Sequence, residues 1–225
     1  LFTGLVSGSY PAFYLSGFKP SAVLKGAFHT GSLVTIPRKI LVIIQFSISV
    51  TLITGTIIVF RQIQHAKNRP AGYNRDGLIT IEMNTPEISG HYNAIRNELL
   101  QTGAVDDMAE SSSDATHIYN TNNGFEWKGK APDMEMMFST VDVTHDFGKT
   151  IGWEMKSGRD FSRSYATDTG SVIINETAAK LMGLQDPVGE TIRWGKSPHP
   201  IVGVVKDMIT GSPYKTVEPT IFFLR

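Results

Sequence analysis

The stretch ILVIIQFSISVTLITGTIIVF, residues 40–60, decides how this chain is built. It holds no charged residue and is bounded by Arg38 and Lys39 before it and Arg61 after it. At about 1.5 Å per residue these 21 residues make a helix about 31 Å long, which matches the hydrocarbon thickness of a bilayer. Core helices of soluble domains are shorter and interrupted by polar residues. A cleaved signal peptide does not fit either: 39 residues precede the stretch, it exceeds a signal h-region, and no small-x-small site follows it. Residues 40–60 therefore read as a transmembrane helix.

Gln45, Ser47, Ser49, Thr51, Thr54, Gly55 and Thr56 are many small or polar residues for a lone anchor. Such residues let neighbouring helices approach and hydrogen-bond within lipid, so packing against other spans is expected. The simpler reading is that the hydroxyls bond to their own helix backbone. Four Lys/Arg flank each side (Lys19, Lys25, Arg38, Lys39 against Arg61, Lys67, Arg69, Arg75), so the positive-inside count does not orient the span. The acid-free N-terminal side and the ease with which long acidic domains are translocated place residues 70–225 outside the cytoplasm.

The helix has no breaker after Phe60 until Pro70. Continued over 38–69 it measures about 48 Å, so roughly 15–20 Å project beyond the hydrocarbon as a stalk. A continuous helix transmits tilt or shift where a Gly/Ser linker absorbs it.

Composition narrows the function. The 21 Lys/Arg and 21 Asp/Glu cancel, but the first 75 residues carry eight bases and no acid, and the last 150 carry thirteen bases against 21 acids. The neutral total and the lack of RNA-binding or zinc-finger spacing argue against nucleic acid as a partner. Zero cysteines exclude a disulfide framework, a thiolate zinc site, an iron–sulfur cluster and a cysteine nucleophile.

From Leu78 the pattern turns α/β. LITIEM (78–83) predicts a strand, and Thr85-Pro86-Glu87 opens a helix to about Thr102, with Ile88, Tyr92, Ile95, Leu99 and Leu100 at helical spacing and Gly103 as its stop. Val105–Glu110 predicts a second strand, and SSSDATHIYNTNN (111–123) a polar, turn-rich stretch. GFEWKGK and the following APDMEMMFSTVDV predict a hairpin whose second strand covers 134–143. Short elements and the Gly158-Arg159-Asp160-Phe161 turn fill 146–170. SVIIN (171–175) predicts a strand, ETAAKLMGL a short helix ended by Gly183, and ETIRW, PIVGVVKD and PTIFFL three closing strands. The sum is an α+β domain of two βαβ halves with a β-rich inserted lobe at about 114–170.

GWEMKSGRDFS, SVIINETAAKLMGLQDPVGETI and PIVGVVKDM…EPTIFF, in this order and spacing, resemble the periplasmic core domain of FtsX/MacB-type ABC transporter permeases. SGSYPAFYLSGFKPSAVLKG (7–26) resembles the family's module ending, and IQFSISVTLITGTIIVFRQIQ its first transmembrane helix. The resemblance implies a tandem-module permease of which this chain is a piece. Residues 1–37 would be the end of a preceding transmembrane helix and a cytoplasmic connector, 38–69 the transmembrane helix and periplasmic stalk, and 70–225 the periplasmic core domain. It further implies a type VII permease in the bacterial inner membrane that couples ATP hydrolysis by a separate cytoplasmic ABC ATPase subunit to periplasmic movement, for export or mechanotransmission. The implied partners are that ATPase, a second permease module or permease dimer, the lipid bilayer, and in tripartite members a periplasmic adaptor and an outer-membrane channel.

No enzymatic chemistry of its own is expected. Gly124–Lys130 spells GxxxxGK, but Ala131 replaces the magnesium-holding hydroxyl and no hydrophobic strand leads in. Gly148-Lys149-Thr150 has Val143 where the first glycine must be. The six histidines (His29, His65, His91, His117, His145, His199) are scattered, and His145-Asp146 and Asp106-Asp107 are adjacent pairs whose side chains diverge on a strand. Met134, Met136 and Met137 read as strand filler, and Asn175-Glu176-Thr177 as a strand-to-helix junction with Asn175 as cap rather than a glycosylation site. No catalytic, cofactor-binding or metal-ligating set is assigned. The rival readings are a membrane-tethered extracytoplasmic sensor with a ligand-binding domain and, more weakly, a hydrolase on an anchor.

Overall fold

The computed structural model describes residues 35–83, 85, 88 and 90–225, with 8, 9, 12, 13 and 16 nearer the N-terminus. Most of the expected module ending at 7–26 and of the connector to residue 37 lies outside the described residues. The chain divides into two units, Leu1–Ile63 and Gln64–Arg225.

Helix α1 runs from Thr35 to Asn68, 34 residues and about 51 Å long. It stops where the sequence forces it to, since Pro70 disfavours helical geometry at Arg69. Its apolar side chains are not packed in a core: Leu41, Phe46 and Ile53 are 66, 71 and 60 % exposed. A helix apolar on every side and left unburied is suited to lipid. The Thr51 hydroxyl donates to the Ser47 carbonyl and the Thr56 hydroxyl to that of Leu52, both at 2.8 Å. For those two threonines the backbone is the partner, as the simpler reading has it.

The second unit is built on one mixed sheet. In chain order it contains α2 (Tyr92–Thr102), β1 (Thr121–Asn122), β2 (Phe125–Glu126), β3 (Phe138–Val143), α3 (Phe147–Ile151), β4 (Met155–Gly158), a 3-10 helix (Ala166–Gly170), β5 (Val172–Asn175), α4 (Glu176–Met182), β6 (Thr191–Trp194), β7 (Ser197–Val205) and β8 (Thr220–Leu224). The strand order is β1-β3-β8-β5-β7-β6-β2, with β4 added to β7. β3 runs parallel to β8 (Val141 opposite Phe222) and β5 parallel to β7 (Ile174 opposite Val204), whereas β5 and β8 are antiparallel (Ile173 opposite Phe222).

β5 lies between two neighbours and is covered on both faces, so its Val172, Ile173 and Ile174 are wholly buried as a continuous apolar run. One face carries Val141, Val143, Ile173, Val205, Phe222 and Leu224 against Phe147, Ile151, Trp153 and Phe161. The other carries Phe138, Val172, Ile174, Ile201, Val204 and Ile221 against Ala178, Ala179 and Met182 of α4 and against Phe125 and Trp127. Gly183, at φ +70°, ends α4 in the left-handed conformation that favours glycine, its N–H directed to the Ala179 and Lys180 carbonyls.

The first third of the unit departs from the sequence pattern. Residues 78–83 form no strand and pair with none among the described residues, and Ile79 and Ile81 face solvent. Helix α2 starts at Tyr92 rather than at 85–87, after turns in which the Ile88 N–H bonds to the Thr85 carbonyl and the His91 N–H to that of Ile88. Val105–Glu110 forms no strand; only Ser111 bridges to Val143, flanked by bonds from the Ser112 N–H to the Asp142 carbonyl and from the Thr144 N–H to the Glu110 carbonyl. The expected hairpin is also replaced. β2 pairs with β6 (Phe125 opposite Trp194), β3 pairs with β1, and β3 begins at Phe138, so Met134 and Met137 lie outside it and are exposed. Stacking of Phe125 on Trp194, with ring centroids 5.2 Å apart, gives β2 a partner the local pattern cannot reveal.

Candidate functional site

Residues 69–74 join the end of α1 to the sheet. The Arg69 guanidinium donates to the Pro213 carbonyl. The Ile209 N–H donates to the Ala71 carbonyl, and the Asn74 N–H to the Ile151 carbonyl, both at 2.8 Å. Ala71 and Tyr73 are buried with Phe147, Ile151 and Met208 in one core cluster. Gly72 has φ +81°, and a Cβ on it would collide with the Asp207 carbonyl. Residues 69–74, around the breaker Pro70, are thus sewn to two separate parts of the folded unit, the chain following β7 and the end of α3. Tyr73 also lines a cavity of about 10 Å³ with Ala115, Ile118 and Met208, room for about one water molecule.

Helix α2 has no fully buried residue, and polar contacts from Tyr92 and Arg96 tie it to the rest of the unit. Tyr92 donates its hydroxyl to the Met108 carbonyl at 2.9 Å and lies 3.1 Å from Asp146 Oδ2. Arg96 reaches Asp107 Oδ1 at 2.7 Å and Asp146 Oδ2 at 3.3 Å. Arg163 grips Asp146 with two bonds of 2.7 and 2.6 Å, and Lys149 lies 2.8 Å from Asp107 Oδ2. The Arg163 guanidinium holds the Asp146 carboxyl below the usual carboxylate range. Burial and the positive charge of Arg163 push His145 down, keeping it neutral at lower pH than usual. The two adjacent pairs singled out in the sequence therefore divide: Asp107 and Asp146 share Arg96, while Asp106 is exposed.

The Gly158-Arg159-Asp160 turn is a packing device. Gly158 has φ +72° and passes so close to the Val202 carbonyl that a Cβ would collide with it. Arg159 binds the wholly buried Asp168 through two 2.6 Å bonds. Asp160 accepts from Trp153 Nε1 at 3.0 Å and from the Phe161 N–H at 2.8 Å, and burial pushes its carboxyl up. Asp168 is the partner that local pattern did not find, since nothing in YATDTG marks it as buried. Its signal is an Arg that must satisfy its guanidinium beside a strand of apolar residues.

The remaining candidates have structural partners. Lys130 of the GxxxxGK stretch turns inward, to the Phe125 carbonyl at 2.8 Å and Glu126 Oε1 at 2.7 Å, over the Trp127 ring. Asn175 caps α4, its Oδ1 accepting from the Ala178 N–H at 2.9 Å, and the same oxygen accepts from the Thr220 N–H at 2.9 Å. No set of nucleophile and base emerges from these contacts, and among the described residues no three His, Asp or Glu side chains gather where they could hold a metal ion.

The model of the MacB-like periplasmic core domain family matches residues 40–223. No curated protein matches the chain. Among solved structures, the periplasmic region of MacB from Actinobacillus actinomycetemcomitans is 17 % identical, with a TM-score of 0.40 over 57 % of this chain and 62 % of that one. A domain described as that of a permease protein from Porphyromonas gingivalis is 20 % identical, with a TM-score of 0.37 over 52 % of this chain and 49 % of that one. The extracellular domain of the noncanonic ABC-type transporter YknZ from Gram-positive bacteria is 15 % identical, with a TM-score of 0.32 over 48 % and 55 %. The chain thus spans between about half and three fifths of each of these solved chains.

Proposed function

Because this chain belongs to the MacB-like periplasmic core domain family, we propose that it is the permease part of an FtsX/MacB-type ABC transporter. In this reading α1 crosses the bacterial inner membrane and residues 70–225 lie in the periplasm. A separate cytoplasmic ABC ATPase hydrolyses ATP, and the work reaches the periplasmic domain as movement, for export or for mechanotransmission. A second permease module or a second permease completes the transporter, with an adaptor and outer-membrane channel in a tripartite form. The chain itself supplies no catalytic group.

The observation that carries this reading is the junction. α1 continues without a break to Asn68, and within the next six residues Arg69, Ala71 and Asn74 are hydrogen-bonded to the folded unit and Ala71 and Tyr73 are buried in its core. A helix that shifts or tilts pulls directly on the Ala71–Ile209 and Asn74–Ile151 bonds, and through them on β7 and α3. A flexible linker in this place would dissipate the displacement.

The test uses the chain in membranes with its ATPase and an environment-sensitive dye on a single cysteine introduced by Lys128→Cys. The unmodified helix should give an ATP-dependent dye signal. The double substitution Gln64→Gly and His65→Gly should keep ATP hydrolysis and lose the signal. An undiminished signal contradicts coupling through the helix, and failure of any ATPase to associate contradicts the permease reading itself.

A further inference from the structure

Tyr73 is only 9 % exposed, and its hydroxyl is buried with no hydrogen-bond partner among the described residues. A buried tyrosine ordinarily finds a partner for its O–H, and a hydroxyl left unpaired away from solvent is costly. Phenylalanine would fill the same apolar surroundings, formed by side chains such as Phe147 and Phe222, without that cost. The cavity of about 10 Å³ that Tyr73 lines has three further polar residues in its wall: Ser113, Asp114 and Thr210. Ser113 is buried, and its Oγ accepts from the Tyr119 N–H at 3.2 Å, which leaves its own proton to donate. Asp114 accepts the Tyr119 hydroxyl through Oδ2, and its Oδ1 has no hydrogen bond among the described residues. Thr210 is half-buried, and its hydroxyl likewise makes none among them.

We infer that this cavity is a binding site for one ordered water molecule, held by the Tyr73 hydroxyl and bridged to Thr210 and to the polar groups of Ser113 and Asp114. A cavity of about 10 Å³ is close to the smallest that admits a water, which also needs about two to four polar partners. Both conditions meet here, and nothing larger fits. Hydroxyls can donate or accept, and a carboxylate oxygen accepts, so each proton of the water finds an acceptor and its oxygen a donor. The site lies where three segments converge. Tyr73 belongs to the stretch that follows α1. Thr210 follows Ile209, whose N–H bonds to the Ala71 carbonyl, and Ser113 and Asp114 belong to the polar stretch 111–123. Among the described residues no direct hydrogen bond runs from 69–74 to that stretch. The water supplies the missing tie, and it gives the buried tyrosine its reason.

One substitution separates a hydrated site from a bare hydroxyl by its sign. In the full chain in detergent micelles, Tyr73→Phe removes one oxygen and keeps the ring. With the water bound, it takes away a partner of that water and should lower the thermal midpoint by about 2–4 °C. With the hydroxyl merely unpaired, it removes a costly group and should raise the midpoint. Thr210→Val should cost less in the Tyr73→Phe background than in the native chain, because the two residues share one ligand. A density map of the full chain in which waters are resolved should show one peak within about 2.5–3.0 Å of Tyr73 Oη. An unchanged or raised midpoint for Tyr73→Phe overturns the inference. So do additive losses for the two substitutions, a cavity without the peak, or a Tyr73 hydroxyl bonded directly to a protein group. None of these measurements involves ATP, so their failure leaves coupling through the helix standing.

Discussion

Arg159 and Asp168 are held together by two parallel 2.6 Å bonds, with the carboxylate wholly buried and the guanidinium partly exposed over the ring of Tyr165, 3.9 Å from its centroid. The pair ties the turn after β4 to the 3-10 helix before β5. Deleting one partner leaves the other charge buried and unpaired. Arg159→Ala should therefore cost about 3 kcal/mol. Urea unfolding in detergent micelles, followed by the near-ultraviolet signal of Trp153, measures this, and Arg159→Met should not restore it.

The same pair gives the unit an acid-sensitive component. The Arg159 guanidinium, seconded by the Ser162 N–H, holds the Asp168 carboxyl below its unfolded value, and Arg163 does the same for Asp146. A depressed folded pKa contributes stability that is present above the unfolded pKa, near 4, and is lost as pH falls through the folded one. Asp160, raised by burial, acts with the opposite sign: its contribution is present below the unfolded value and is lost as pH rises through the folded one. Unfolding midpoints should fall below about pH 4 in the native chain, and the fall should be shallower in Asp168→Asn.

Asn175 serves three backbone groups with one side chain. Its Oδ1 accepts from Ala178 and Thr220, and its Nδ2 donates to the Glu218 carbonyl at 2.8 Å. Asn175→Ala removes the helix cap and strands buried groups at the start of β8, an expected loss of about 2–3 kcal/mol. Asn175→Asp keeps the acceptor and should lose less. Thermal unfolding of the two variants side by side checks the order.

Gly72→Ala tests the junction directly. Left-handed geometry at φ +81° and the collision with the Asp207 carbonyl should together destabilise by at least about 2 kcal/mol. Gly103→Ala, with a similar φ of +67° but open space around its Cβ, is the control and should lose only the conformational part, about 1 kcal/mol. Equal losses would mean that the close approach at residue 72 contributes nothing.

Helix α2 should open separately from the rest. With no buried residue it depends on Tyr92 and Arg96, so Arg96→Met should raise amide exchange across 92–102 by about tenfold or more while the exchange of β5 stays unchanged.

These residues also show where the sequence was informative. The apolar run at 40–60 and the VIIN–ETAAKLM–G pattern carry their structure locally, through length, β-branching, an Asn cap and a Gly stop. Strands β5 to β8 follow from the same signals. Where the outcome depends on a distant partner, local pattern fails. LITIEM has the alternation and the β-branched residues of a strand, yet strand formation needs a neighbour, and none among the described residues pairs with it. GFEWKGK points to a hairpin with the run after it, but Trp194 offers Phe125 a stacking surface nearly seventy residues away. Asp168 and Asp146 acquire their importance only when folding brings arginines to them. Gly72 is one of 21 glycines, and only its approach to Asp207 distinguishes it.

Permease function as proposed requires that α1 cross a bilayer with the folded unit on the far side. The direct measurement is the labelling of single cysteines by a membrane-impermeant maleimide in cells whose outer membrane has been opened. Lys128→Cys, in the folded unit, should label at once, and Ser21→Cys, before the helix, only after the inner membrane is breached. Immediate labelling of Ser21→Cys with protection of Lys128→Cys, or recovery of the chain in the soluble fraction, would contradict it.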